Sequence, residues 1–271
     1  MSSFFNDKVV WITGASSGLG EALAIECAKE NAKLVISARR ESELVRVKTA
    51  CAKYIDEASI LILPLDVTDL SNVEAEVQKV IQKFNRIDVL INNAGVVQRS
   101  YVIDTPVALE RKLFEVNYFG SVILSKAVLP IMQKQKSGNI LVVSSVMGKV
   151  GFPGRSTYSA SKHALHGYFE TLRIEENMNG INVHIICPGY IKTQVSLNAV
   201  NAKGEKYNKM DKGQENGMDP FVAARKVMKA IRNNKFETFF GGKELIAITF
   251  KRLFPSLFYR LILITGKKKL L

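Results

Sequence analysis

The stretch Lys8-Val9-Val10-Trp11-Ile12-Thr13-Gly14-Ala15-Ser16-Ser17-Gly18-Leu19-Gly20 decides the fold. Its first five residues predict a buried strand, and an apolar helical pattern follows from Glu21 to Ala28. A strand, a glycine-rich turn and a helix in this order are the context of a dinucleotide site. The glycines permit a tight turn, and the helix N-terminus presents free N–H groups to a pyrophosphate. The alternative is a tight turn that binds no ligand.

Strand and helix patterns alternate along the rest of the chain. Short apolar runs predict strands at residues 32–38, 60–65, 87–91, 139–143, 181–187 and 236–241. Such alternation predicts an α/β protein with a three-layer Rossmann fold, in which a doubly wound, parallel, seven-stranded sheet carries helices on both faces. We expect residues 1–242 to form a single domain, with residues 243–271 as a basic, apolar tail of that domain.

The composition is that of a globular protein with a strong basic excess. Of 271 residues, 47% are hydrophobic, and the formal net charge is +13. This charge is compatible with a nucleic acid, an anionic membrane surface, an anionic cofactor or substrate, or a surface tuned for solubility. The sequence has no dedicated nucleic-acid-binding motif, so we expect no nucleic-acid partner.

Cysteine and histidine usage argues against disulfides and metal sites. Cys27, Cys51 and Cys187 are far apart and odd in number, so we expect buried free thiols, a reducing compartment and a cytoplasmic location. The three histidines lack partners at metal spacing, and we therefore expect no metal. We also expect no signal peptide ahead of the first apolar strand, which begins at Val9.

The glycine-rich turn has the form T-G-x-x-x-G-x-G, which differs from the general G-x-G-x-x-G fingerprint. In this turn the chain resembles the short-chain dehydrogenase/reductase family, and further family motifs follow over residues 8–242. In order, they are Asn92-Asn93-Ala94-Gly95, Asn117, Ser145, Tyr158-Ser159-Ala160-Ser161-Lys162 and Pro188-Gly189-Tyr190-Ile191-Lys192-Thr193. Within the family, the chain is similar to the dehydrogenase/reductase member 7B-like and 11β-hydroxysteroid dehydrogenase-like branch.

The resemblance implies a nicotinamide dinucleotide and the residues that bind it. Asp66 and Val67 would lie along the adenine ring, and the segment from Pro188 would cover the nicotinamide. The full implied set is Gly14, Ser16, Ser17, Gly18, Leu19, Gly20, Arg39, Arg40, Asp66, Val67, Asn93, Ala94, Gly95, Tyr158, Lys162, Pro188, Gly189, Ile191 and Thr193.

The end of the second predicted strand indicates which dinucleotide is bound. In a doubly wound fold, an acidic residue there bonds the ribose 2′-hydroxyl of NAD, whereas arginine suits the 2′-phosphate of NADP. Arg39 and Arg40 stand there without an acidic neighbour, which favours NADP(H), with NAD(H) as second choice. The alternative is that both arginines are the exposed start of the next helix.

Tyr158 and Lys162 are four residues apart, so on a helix they share one face. A nearby ammonium favours the phenolate and lowers the pKa of the phenol, which suits Tyr158 to proton transfer. The family resemblance implies that Ser145 bonds the substrate oxygen and that Asn117 holds a proton-relay water. Two alternatives are Ser144 in place of Ser145, and an Asn117 side chain satisfied only by local backbone.

These residues together predict an enzyme that interconverts a carbonyl and an alcohol by hydride transfer, with Tyr158 as general acid/base. Some members of the similar branch reduce acyl- or alkyl-dihydroxyacetone phosphate, which suggests a lipid or steroid-like ketone. The alternative is a catalytically silent, NADP-binding regulatory or scaffold protein.

Residues 96–106, 146–156 and 190–218 are expected to set substrate specificity. Within the last of these, the polar stretch 194–218 is expected to cover the substrate. Lysines within it could attract an anionic substrate, or belong to a solvated loop: Lys203, Lys206, Lys209 and Lys212.

The tail combines apolar runs with Lys251, Arg252, Arg260 and Lys267-Lys268-Lys269. An amphipathic interfacial helix would place it on a membrane surface, whereas packing against a second subunit is the competing interpretation. The family resemblance implies a homodimer or homotetramer.

Overall fold

Seven parallel strands form one sheet in the computed structural model, which describes residues 3–69, 71 and 73–269, without the side chains of 265–269. The strand order is β3-β2-β1-β4-β5-β6-β7. The strands are β1 Val9–Thr13, β2 Lys33–Ser37, β3 Ile60–Ile62, β4 Val89–Asn92, β5 Gly138–Val143, β6 Ile181–Pro188 and β7 Glu237–Phe240. The predicted α/β, doubly wound, seven-stranded Rossmann fold is thereby confirmed.

Helices cover both faces of this sheet. They are α1 Gly18–Lys29, α2 Glu41–Cys51, α3 Val73–Phe84, α4 Val107–Phe114, α5 Gly120–Gln135, α6 Ser156–Glu176, α7 Lys212–Glu215, α8 Pro220–Arg232, α9 Ile246–Leu253 and α10 Pro255–Lys269. A π-helical turn, Glu115–Phe119, joins α4 to α5.

The core is two apolar layers, one on each side of the sheet. Alternate strand residues point to opposite faces, so Val10 and Ile12 pack in the layer beneath α1, α2 and α8. Val9 and Trp11 pack in the layer beneath α3, α5 and α6. Because both faces of β1, β2, β4, β5 and β6 are buried, these strands are largely apolar runs, which is why the sequence predicts them well.

The order of the strands positions the site. From β1 the chain moves outward to β3 and then returns to pair β4 with the other edge of β1, in the register Val10↔Val89, Trp11↔Leu90 and Ile12↔Ile91. In open α/β sheets, ligands bind at the carboxyl ends of the strands where the order reverses. The loops after β1 and β4 meet at this point.

One strand differs in extent from its sequence-based expectation, and the structure adds detail to the stretch 194–218. The third strand ends at Ile62 rather than at residue 65, although the N–H groups of Leu63 and Leu65 still donate to the carbonyl oxygens of Ile36 and Ala38. The stretch 194–218 contains α7 and pairs with the rest of the protein through single bridges from Gln98 to Val200 and from Ile191 to Met218.

The tail folds into α9 and α10 and packs back onto the domain. Lys251 Nζ donates to the carbonyl oxygen of Lys149 at 2.7 Å, and the rings of Phe250, Phe254 and Phe258 pack together. Among the described residues, no helix has the length and apolar character to cross a bilayer. The side chains of Lys267, Lys268 and Lys269 lie outside the described residues.

Candidate active site

The turn after β1 is held against the turn after β4. Asn93 Nδ2 donates to the carbonyl oxygens of Thr13 and Gly14 at 3.0 and 3.2 Å, and the Thr13 hydroxyl accepts from the backbone N–H of Asn93 and Ala94. Gly14 has φ +65°, and a Cβ there would stand 2.9 Å from Ala94 Cα. A Cβ on Gly20 would lie 2.2 Å from the Gly14 carbonyl oxygen, so both positions need glycine.

The N-terminus of α1 is suited to an anionic ligand. Its N-cap residue, Ser17, makes no side-chain capping hydrogen bond, so the first N–H groups of the helix are left to other partners. These groups face a cavity of about 1140 Å³ lined by Gly14, Ser16, Ser17, Gly18 and Leu19. Free N–H groups and the positive end of the helix dipole favour a phosphate there.

One cavity joins nearly all of the residues that the sequence singles out. It is lined by Arg39, Arg40, Asp66, Val67, Asn93, Ala94, Gly95, Ser145, Tyr158, Lys162, Pro188, Gly189, Ile191 and Thr193. Two predicted residues, Gly20 and Asn117, do not line it and lie behind its wall. Gly20 is buried in tight contact with Gly14, and Asn117 is wholly buried.

The π-helical turn between α4 and α5 presents Asn117 to the interior. Its Oδ1 accepts from the N–H of Val96 at 2.8 Å, and its Nδ2 donates to the Val96 carbonyl oxygen and to Ser161 Oγ. A Cβ on Gly95 would lie 3.2 Å from Asn117 Oδ1 and 3.6 Å from Lys162 Nζ. The side-chain amide of Asn117 and the ammonium of Lys162 therefore both lie beside Gly95. A π-turn, common at functional sites, accounts for the polar residue within an apolar helix.

Tyr158 and Lys162 lie on α6, next to the end of β5. Lys162 Nζ donates to the Val143 carbonyl oxygen at 2.7 Å and lies 5.9 Å from the centre of the Tyr158 ring. Burial lowers the pKa of Lys162 to about 8. Ser145 Oγ accepts from the Met147 N–H, which fixes Ser145 at the start of the next turn.

The pKa of Tyr158 differs in direction from the sequence-based expectation. Burial raises it above its ordinary value, while a hydrogen bond with Ser145 and the charge of Arg99 act in the opposite direction. The predicted lowering by Lys162 is therefore wrong: removing the phenol from water disfavours the phenolate more than the Ser145 hydrogen bond and the Arg99 charge favour it.

Gln98 caps the helix that carries Tyr158, a role with no sequence signal. It is fully buried, and its Oε1 accepts from the N–H groups of Thr157 and Tyr158 at 2.9 and 3.4 Å. Its Nε2 donates to Thr105 Oγ1 at 2.9 Å. A glutamine almost sixty residues away in sequence therefore supplies what a local serine or aspartate usually does.

Ser144 belongs to a second network behind α6. Its hydroxyl lies 3.1 Å from His166 Nε2, and His166 Nδ1 lies 3.2 Å from Glu237 Oε1. With Cys187, these side chains bring three possible metal ligands within 4.8 Å of one another. However, Lys149 Nζ lies 2.8 Å from Glu237, and burial raises the pKa of Cys187 to about 12, so the cluster has its own cation and a protonated thiol.

Other cavity residues come from segments without a motif. Arg99, Arg155 and Tyr190 line the same cavity, and Phe258 and Ile262 of α10 add apolar side chains to its wall. They fall in or beyond the three segments expected to set specificity, where spacing carries no signal. Of the four lysines singled out in the stretch 194–218, only Lys206 lines the cavity; Lys203, Lys209 and Lys212 do not.

Comparison with known proteins identifies the family. The model of the short chain dehydrogenase family matches residues 8–204. The chain therefore belongs to the short-chain dehydrogenase/reductase family of oxidoreductases. Its similarity extends to the "Dehydrogenase/reductase SDR family protein 7-like" of Drosophila melanogaster, with 42% identity covering 93% of this chain and 78% of that protein.

Further relatives are similar over most of the chain. "Dehydrogenase/reductase SDR family member 7B" of Danio rerio is 38% identical, covering 97% of this chain and 87% of the relative. A short-chain dehydrogenase/reductase from Burkholderia phymatum, solved in complex with NAD, superposes with a TM-score of 0.82 at 25% identity, covering 93% of this chain and 95% of that one. The family and this neighbour support a nicotinamide dinucleotide as cofactor.

The buried ammonium of Lys162 predicts a pH dependence of stability. Its pKa is about 8 in the folded protein and 10.5 in the unfolded chain, so between these values the unfolded chain binds more protons and stability rises with pH. The free energy of unfolding of the wild type minus that of Lys162→Met should increase by about 3 kcal/mol between pH 7.5 and 10.5. Urea unfolding of the cofactor-free proteins at several pH values measures this difference.

Lys134 on α5 is exposed and gives the matched control. Lys134→Met should follow the wild-type profile throughout this pH range. A constant difference between the wild type and Lys162→Met would show that the ammonium is not desolvated as described.

Proposed function

We propose that the protein is an NADP(H)-dependent oxidoreductase that interconverts a carbonyl and an alcohol, with Tyr158 as general acid/base. The observation that carries this proposal is the placement of Tyr158, Lys162 and Ser145 on the wall of the cavity that also contains the uncapped N-terminus of α1. One cavity thus holds proton-transfer groups at one end and an anion site at the other.

The described residues fit a dinucleotide. The glycines leave room that a Cβ would fill, and the amides at the start of α1 suit a pyrophosphate. Arg39 and Arg40 are exposed at the cavity wall, and neither guanidinium forms an ion pair or hydrogen bond within the described ranges. Both are therefore available to a 2′-phosphate. The bound nicotinamide would supply the hydride chemistry.

Each of the four catalytic groups has its own role in this scheme. Tyr158 gives its proton to the carbonyl oxygen in reduction and accepts one in oxidation. Ser145 bonds the same oxygen and orients the phenol. Lys162, buried as an ammonium, stabilises negative charge on Tyr158 once it has lost its proton. Asn117 holds the backbone at Val96 and would anchor a relay water beside Lys162.

We propose a lipid or steroid-like ketone as substrate. We place the substrate at the end of the cavity that Arg99, Arg155 and Tyr190 line, and call it the substrate end. Apolar side chains from three separate segments also line this cavity, including Phe152, Val195 and Phe258. Burying each such contact against an apolar substrate contributes about 25 cal/mol per Å² of surface removed from water.

Tyr158→Phe tests the catalytic scheme. Loss of the acid/base group should lower kcat by about a hundredfold or more, while the dissociation constant for NADPH changes little. NADPH consumption is measured on whichever compounds of a ketone and cell-extract panel the wild type consumes. Tyr168→Phe, on the same helix but outside the cavity lining, is the control and should keep wild-type turnover. Undiminished turnover by Tyr158→Phe refutes the scheme, and tight NADPH binding without any turnover indicates a scaffold protein.

Arg39→Gln/Arg40→Gln tests the cofactor preference. A charge-assisted hydrogen bond contributes about 1.5–3 kcal/mol, so loss of even one should lower the affinity of the double variant for NADPH by about tenfold or more, with little change for NADH. Fluorescence titrations of both cofactors give the ratio. Lys53→Gln, an exposed charge beyond the end of α2, should leave the ratio unchanged. Equal affinity of the wild type for the two cofactors would contradict the proposal.

We further propose that the tail contacts an anionic membrane surface. Residues 243–271 contain seven basic residues and one acidic residue, so they carry six of the thirteen net positive charges. Apolar side chains are exposed along the same segment: Leu253 at the end of α9, Phe254 between the two helices, and Leu257, Tyr259 and Leu263 on α10. Apolar side chains combined with basic charge suit an anionic bilayer surface.

Vesicle sedimentation tests this contact. The wild type should bind phosphatidylserine-containing vesicles more than phosphatidylcholine vesicles, and less at high salt. Leu253→Ser/Leu257→Ser should reduce binding at least severalfold, whereas Ile174→Ser, an exposed apolar control on α6, should not. If the tail variant instead dissociates an oligomer in light scattering and vesicle binding is absent, the face is a subunit interface.

A further inference from the structure

Two arginines stand together at the substrate end of the cavity. Arg99 lies seven residues after the end of β4, and Arg155 immediately precedes α6. Both line the cavity, and each side chain is only 10% exposed. Arginines this deeply enclosed are uncommon unless each has a partner of opposite charge.

One carboxylate serves both of them. Asp211 Oδ2 lies 2.7 Å from Arg99 Nη2 and 3.5 Å from Arg155 Nη2, while its Oδ1 accepts from the Gly213 N–H at 3.0 Å. Glu244, which also lines the cavity, has Oε1 engaged by the N–H groups of Tyr190 and Gly242. The two guanidiniums and Asp211 therefore carry a net charge of +1. The Glu244 carboxylate keeps its negative charge but contacts neither arginine, and Lys206 adds a positive charge at the same cavity.

Arg99 is also incompletely hydrogen-bonded. Its Nε is buried and has no hydrogen-bond partner among the described residues. Arg155 is better satisfied, because its Nη1 donates to the carbonyl oxygens of Gln98 and Gly154 at 3.2 and 3.3 Å. An unpaired donor on a buried charged group costs free energy that a ligand oxyanion would recover.

We propose that Arg99 and Arg155 form a subsite for an oxyanion, a carboxylate or a phosphate, carried on the same molecule as the reacting carbonyl. This inference rests on the proposed function, since it places the subsite in the cavity that contains Tyr158. The substrate is then an anionic amphiphile. Its oxyanion binds the two guanidiniums, and its apolar part contacts the wall that includes Phe152 and Phe258.

Non-reactive probes test the subsite independently of turnover. Decanoate, decyl phosphate and the neutral decanamide are titrated by calorimetry into the NADPH-loaded protein. The wild type should bind at least one of the two anions about tenfold to a hundredfold more tightly than the amide. The anion with the larger preference identifies the head group. Equal affinity for all three probes overturns the proposal, whereas the proposed reaction is judged separately by NADPH turnover and Tyr158→Phe.

Charge variants separate an anion subsite from a purely structural ion pair. Arg99→Gln should abolish the preference for the anion. Lys203 is exposed in the stretch 194–218 and does not line the cavity, so Lys203→Gln should retain the preference. Asp211→Asn removes the competing carboxylate and should keep or increase the preference. If Arg99→Gln and Asp211→Asn both lose it, the arginines only hold the stretch 194–218 in place and the proposal fails. Thermal unfolding shows whether each variant is folded. If Arg99→Gln does not fold, the anion preference of Asp211→Asn alone decides the proposal.

Discussion

The pairing of β1 with β4 is the constraint on which the site depends. This register brings the glycine-rich turn beside Asn93, whose amide then bonds the carbonyl oxygens of Thr13 and Gly14. A slip of one residue would turn every side chain of β1 to the opposite face and move the large Trp11 ring into the other apolar layer, so the packing of unequal side chains fixes the register. The cofactor loop is thus held by the core of the protein rather than by its own sequence alone.

Burial works against charge throughout the candidate site. It lowers the pKa of Lys162 and raises that of Tyr158, so the protein without ligand disfavours both ionised forms. The two effects have opposite signs because one group is a cation when protonated and the other an anion when deprotonated. A substrate and a cofactor that bring charge or hydrogen bonds to this cavity therefore alter the proton affinity of both groups. Protonation and ligand binding are coupled in such a site.

The sequence predicts the features that are local, and it misses those that tertiary contacts create. Short stretches of sequence are enough to predict the buried strands, the glycine-rich turn and the spacing of Tyr158 from Lys162. The fold and most of the cavity residues follow from these features. Gln98 acts on a helix that begins almost sixty residues later, and Arg99 meets Asp211 at a separation of 112 residues. No pattern within a short stretch of sequence predicts such long-range partners. The predicted direction of the Tyr158 pKa shift is wrong for a related reason. The spacing of two residues in sequence does not indicate how far the fold removes their side chains from water.

The tail helix α10 contributes Phe258 and Ile262 to the cavity wall, while exposed apolar side chains and Arg260 project from it elsewhere. One helix therefore has an inner surface that shapes the substrate space and an outer surface that meets the surroundings. A fluorescent protein or affinity tag joined after α10 would therefore be attached to the same helix that forms part of the cavity wall. The residues before β1 adjoin the amino end of that strand, and none of the described ones lines the cavity, so a tag placed before them lies away from this wall.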